Sequence, residues 1–65
     1  MSAMKPDGTN DVYFEFVAIG RNVKVSAIDA ATGTEVSIMG PASASQADLQ
    51  RLALQKLVAR LKAAG

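Results

Sequence analysis

The chain carries seven Lys and Arg, six Asp and Glu, and neither His nor Cys. The two missing types matter most. Imidazole is the usual general acid–base group near neutral pH, and thiolate is the strongest common nucleophile. Their absence also removes thiolate and imidazole metal sites and any disulfide. Carboxylates, hydroxyls and cations remain, and their spacing raises a question in four places. Gly20-Arg21-Asn22 has the residue types of an anion-binding turn, and equally those of a hairpin loop. Asp29 with Thr32-Gly33-Thr34 has phosphate-loop letters but not the G-x-x-x-x-G-K-[ST] spacing, so Gly33 reads as a positive-φ turn residue. Glu15, Lys24 and Glu35 fall on one face of the expected sheet. They predict a cross-strand charge network rather than an acid–base pair, because three strands offer no pocket. Arg51, Lys56, Arg60 and Lys62 form the one basic concentration. Residues 45–65 carry net +3 and residues 1–44 net −2. These four cations predict a solvated helix face first, and an anion contact as the alternative.

The elements that must position these residues follow from periodicity. Residues 1–10 hold Pro6, Gly8 and polar side chains without a pattern, which predicts a disordered lead-in ahead of a single domain over 11–65. Val12, Phe14, Phe16 and Ala18 then alternate with Tyr13, Glu15, Val17 and Ile19, a strand pattern. Val23, Val25 and Ala27 alternate with Lys24, Ser26 and Ile28. Val36 and Ile38 alternate with Glu35, Ser37 and Met39, where Met39 reads as a gap-filler. Gly20-Arg21 fits a two-residue type II′ loop, which sets Ile19 opposite Asn22 and Phe16 opposite Val25. A four-residue loop closing on Gly33 sets Asp29 opposite Thr34 and Val25 opposite Ile38. Both registers bring Val12, Phe14, Phe16, Val23, Val25, Ala27, Val36 and Ile38 to one face, and a one-residue slip at either turn would break that agreement. The other face is mixed: Tyr13, Val17, Ile19, Ile28 and Met39 lie among Glu15, Lys24, Ser26, Glu35 and Ser37. Gly40-Pro41 ends the third run. Ser45 is a good helix N-cap, and Asp48 three residues on completes a capping-box pattern before a helix from Gln46 to about Lys62. The expected fold is α+β: a three-stranded antiparallel meander followed by one C-terminal helix, β-β-β-α.

The helix is apolar over too wide an arc. Its Leu and Val positions spread over about 240°, where a one-sided surface helix needs little more than about 100°. Leu49, Leu52, Ala53 and Leu57 cannot all face the sheet together with Leu54, Val58 and Leu61. A chain of 65 residues also has little core of its own. Both outer strands expose hydrogen-bonding edges. Together these features predict a homodimer, through an edge strand or through the helix. The candidate interface residues are Leu52, Leu54 and Val58 on the helix, with Val17, Ile19, Ile28 and Met39 on the mixed face.

The strings Val12-Tyr13-Phe14-Glu15-Phe16-Val17, Gly20, Val23-Lys24-Val25-Ser26-Ala27-Ile28-Asp29, Thr32-Gly33-Thr34-Glu35-Val36-Ser37-Ile38 and Gly40-Pro41-Ala42 carry a resemblance. Together with the Leu-rich tail they resemble a small bacterial family of unknown function, mainly alphaproteobacterial. Ala30 stands where that family favours Pro. The resemblance implies a cytoplasmic bacterial protein and no catalysis. Three strands and a helix also resemble the closing part of a double-stranded-RNA-binding domain. This chain, however, lacks the opening helix and has Ser45-Gln46-Ala47-Asp48 where such domains carry a Lys pair.

The functional expectation is therefore a small non-catalytic homodimeric interaction module, with no metal or cofactor. Its partners would be a second copy and an unidentified protein. A nucleic-acid accessory domain using Arg51, Lys56, Arg60 and Lys62 is the alternative, disfavoured by near-zero net charge. No run approaches the ~20 apolar residues of a membrane helix. Residues 1–10 lack the apolar segment of a secretory leader, which with the absence of Cys predicts a cytoplasmic location.

Overall fold

The alternation in residues 12–41 becomes three antiparallel strands: β1 (Val12–Ile19), β2 (Asn22–Asp29) and β3 (Thr34–Pro41), in spatial order β1-β2-β3. The computed structural model describes residues 11–64. The lead-in expected at residues 1–10 lies outside the described residues. Both predicted registers hold. Ile19 pairs with Asn22 and Phe16 with Val25, while Asp29 pairs with Thr34 and Val25 with Ile38. Gly20 has φ 61°, and Arg21 has no positive φ. That combination fits a type II′ turn and excludes type I′, which needs positive φ at both central positions. Gly33 has φ 75° and donates its N–H to the Asp29 carbonyl at 2.8 Å, closing the four-residue loop.

One boundary moves. The third strand was expected to stop at Met39, but pairing continues through Gly40 and Pro41, opposite Val23 and Asn22. Pro is tolerated there because its nitrogen points away from β2 at the sheet edge. Gly40 stays in the strand for a packing reason. A Cβ built on it would lie 2.5 Å from a methyl of Leu49.

The helix α1 (Gln46–Ala64) begins at Ser45, whose hydroxyl accepts the Asp48 N–H at 3.3 Å. The capping box closes on this arm alone. The Asp48 carboxylate turns to Arg51 at 2.6 Å. The helix folds back over the predicted sheet face. Val25, Ala27 and Val36 from the strands and Leu49, Ala53 and Leu57 from the helix form the buried core. Val12, Phe14, Phe16, Val23, Ile38, Ala44 and Leu61 pack around it. The wide apolar arc divides between core and solvent: the candidate interface residues Leu52, Leu54 and Val58 are exposed, while Leu61, which helical angle groups with Leu54 and Val58, packs on the core. The helix rests on β3 and β2 rather than on the sheet's centre line. No residue of β1 is fully buried as a result.

Candidate functional site

One of the two fully buried polar side chains among the described residues belongs to a turn. Asp29 ends β2 on the core face and is 1% exposed. Its Oδ2 accepts the Thr32 N–H at 3.2 Å and the Thr32 hydroxyl at 2.7 Å. Thr32 Oγ1 in turn accepts the Thr34 N–H at 3.2 Å and lies 2.8 Å from Thr34 Oγ1. A carboxylate reaching a main-chain N–H three residues on is a local turn device. Asp29 Oδ1 is buried without a hydrogen-bond partner among the described residues. No group of three or more potential metal ligands surrounds it or lies elsewhere among those residues. The sequence reading grouped Asp29 with Thr32-Gly33-Thr34 but took Gly33 as the key to the turn and missed the bond from Asp29 to Thr32. The Asp-x-x-Thr spacing was the signal that could have found it.

The mixed face holds no charge network. Lys24 sits opposite Val17 and Met39, and Ser26 stands between Glu15 and Ser37. The only ion pair among the described residues is Arg51–Asp48 on the helix. The expected Glu15–Lys24–Glu35 network fails because its members lie in different rows, separated by small side chains. What the centre of that face does hold is Ser26, 1% exposed, with its hydroxyl 3.0 Å from that of Ser37.

The four helix cations do not share a face. Counting from Leu49, Lys56 and Arg60 fall at about −20° and +20°, Arg51 and Lys62 at about 200° and 220°. Arg51 is paired with Asp48, and Lys56 donates to the Ser37 carbonyl at 2.6 Å. Two cations on each of two opposite sides, with one of each pair already engaged, do not make a basic stripe.

The apolar candidates are also on two surfaces. Leu52, Leu54 and Val58 are about two-fifths to one-half exposed on the helix, and an open groove on its outer side runs along Leu54, Val58 and Ala59 between Arg51 and Lys62. Val17, Ile19 and Met39 are similarly exposed on the far face of the sheet, whereas Ile28 is half-covered. Helix and sheet separate the two groups.

The sequence from residue 9 to residue 64 matches a family described as a domain of unknown function, DUF6898. The chain belongs to this family. The match covers all three strands and the whole helix of this DUF6898 domain, which agrees with the resemblance carried by the strand and turn strings. No curated protein and no solved structure matches the chain. No helix among the described residues is long and apolar enough to cross a membrane.

Proposed function

We propose that this domain is a small non-catalytic interaction module that works as a homodimer in the bacterial cytoplasm. The observation that carries the reading is where the apolar surface lies. Leu52, Leu54 and Val58 on the helix and Tyr13, Val17 and Ile19 on β1 remain in contact with water. The one buried carboxylate among the described residues, Asp29, is occupied with a turn. Exposed apolar surface on so small a domain marks a protein contact. A second copy is always available, and a two-fold interface uses the same patch twice. The separation of Lys56 and Arg60 from Arg51 and Lys62 weighs against the nucleic-acid alternative. Phosphate binding needs cations that track a backbone together.

Sedimentation equilibrium across a range of concentrations tests the reading. The expected result is about twice 6.8 kDa at micromolar concentration. A single copy at high micromolar concentration overturns it. So does salt-sensitive retention of the protein on nucleic acid, which would favour the basic-helix alternative.

A further inference from the structure

The two sheet edges are not equivalent, and the difference selects a dimer geometry. In an antiparallel pair, residues that exchange both main-chain hydrogen bonds recur at every second position. The Ala30 N–H bonds to the Asp11 carbonyl at 3.0 Å, so the odd-numbered residues of β1 bond to β2. The N–H and C=O groups of Val12, Phe14, Phe16 and Ala18 therefore point outward from the sheet. The Ala42 N–H bonds to the Arg21 carbonyl at 2.8 Å, which turns Glu35, Ser37, Met39 and Pro41 outward from β3 in the same way.

The outward groups of β3 are partly used. Lys56 reaches over the edge from the helix and takes the Ser37 carbonyl. Pro41 has no N–H to offer. Such features keep a foreign strand away. The edge of β1 has neither a Lys nor a Pro, and its one charged side chain is Glu15. It is apolar on both faces, with Phe14 and Phe16 half-buried on one and Tyr13, Val17 and Ile19 exposed on the other. The helix alone offers three part-exposed aliphatic side chains, far less than the about 800 Å² per partner of a standard interface. A full edge strand with both of its faces comes much closer.

Resting on the homodimer reading above, we infer that two copies join by antiparallel pairing of β1 with the partner's β1. The sheets merge into one of six strands, with both helices on the same side. Keeping the Phe faces together requires pairing residues of equal parity. A two-fold axis at Glu15 would set two carboxylates directly opposite each other, which is unfavourable. An axis at Phe16 instead places Tyr13 opposite Ile19 and Glu15 opposite Val17 of the other copy, and it overlaps more of the strand than an axis at Phe14. Each helix lies over β2 and β3, so strand spacing puts the two helix axes about 19 Å apart. Packed helices are 8–10 Å apart. The helices thus face each other across a groove floored by Phe14 and Phe16, and Leu54 and Val58 stand on its walls rather than in the dimer contact.

Light scattering on single-site variants tests this geometry. Ala18→Pro removes an N–H that β2 does not use, and it should halve the mass while circular dichroism keeps the folded spectrum. Met39→Pro removes the corresponding N–H on β3 and should leave the dimer intact, as should Leu54→Lys with Val58→Lys. Because the chain has no Cys, Phe16→Cys gives a second readout that is independent of Ala18→Pro. Residues across the axis have Cα atoms about 5.5 Å apart, within disulfide reach. Mild oxidation should therefore link Phe16→Cys into a covalent dimer and leave Met39→Cys unlinked. A monomeric wild type overturns the homodimer reading itself. A dimer that survives Ala18→Pro, dissociates with Met39→Pro or with the helix pair, or fails to cross-link at Phe16→Cys overturns the β1 geometry alone.

Discussion

The outer strands β1 and β3 have equal length and flank the same neighbour, yet they are finished differently. β3 is packed: Val36 and Gly40 are buried, Leu49 fills the space where Gly40 has no side chain, and Lys56 crosses the edge to Ser37. β1 has no fully buried residue, and among the described residues no helix side chain hydrogen-bonds to its edge. One helix of 19 residues cannot cover three strands, so it covers two. Placing it off-centre completes one side of the domain and leaves the other for a partner.

The largest effect belongs to the covered side. Leu57 is wholly buried between helix and sheet, and Leu57→Ala should cost about 2–5 kcal/mol in thermal or urea unfolding. Phe14→Ala on β1 removes a larger side chain from a half-buried site and should cost less at low protein concentration. Its cost should grow with concentration if a second copy covers β1. A Phe14→Ala cost equal to that of Leu57→Ala, and independent of concentration, would remove the distinction between the two sides.

Gly40→Val comes next. The new side chain would meet the Leu49 methyl, and overpacking of this kind costs about 1–3 kcal/mol. The corresponding outer-strand change on β1, Ala18→Val, meets no helix side chain within its own chain and should cost less than Gly40→Val in the urea midpoint at low protein concentration. Gly33→Val and Gly20→Val meet nothing within 4 Å, so their cost is backbone strain alone. At φ 75° and φ 61° a β-branched residue should lose about 1–2 kcal/mol at each turn. Unchanged melting in both variants would contradict the turn conformations.

The sheet was legible in the sequence because two turns independently brought the same residues to one face. Register follows from loop length and alternation, and both are local. The boundary at Pro41 was not legible, since it is the Ala42–Arg21 bond next to the Asn22–Pro41 pair that shows its nitrogen facing away from β2. The fate of Leu61 was not legible either. Helical periodicity gives the angles between side chains but not the helix's rotation and lateral position over the sheet. Those depend on the fit of Leu49 to Gly40, a contact between distant parts of the chain. The same gap explains the site residues. The mixed face was read correctly residue by residue, but the charge network expected on it needed side-chain reach across Ser26 and Ser37. For the basic residues, the split follows from their spacing alone. The engagement of Lys56 with a sheet edge does not.

Lys56 provides the smallest and most selective test of the comparison. Its ammonium group is exposed, and its bond to the Ser37 carbonyl is replaceable by water. Lys56→Ala should therefore shift stability by less than about 1 kcal/mol. Its effect on association should be larger than its effect on folding. With Lys56 in place, only the β1 edge is open, and two-fold pairing there closes the assembly at two copies. Without it, the β3 edge presents a free carbonyl and the N–H groups of Glu35, Ser37 and Met39, ending at Pro41. Each dimer would then carry two further edges able to pair, and pairing through both edges does not close. Light scattering of Lys56→Ala should accordingly show species larger than the dimer as concentration rises, while the wild type stays at two copies. Lys56→Arg keeps a donor at the edge and should behave as the wild type does. If Lys56→Ala remains at the wild-type mass up to millimolar concentration, the edge is protected by something other than Lys56, and the difference between the two outer strands rests on Pro41 and helix packing alone.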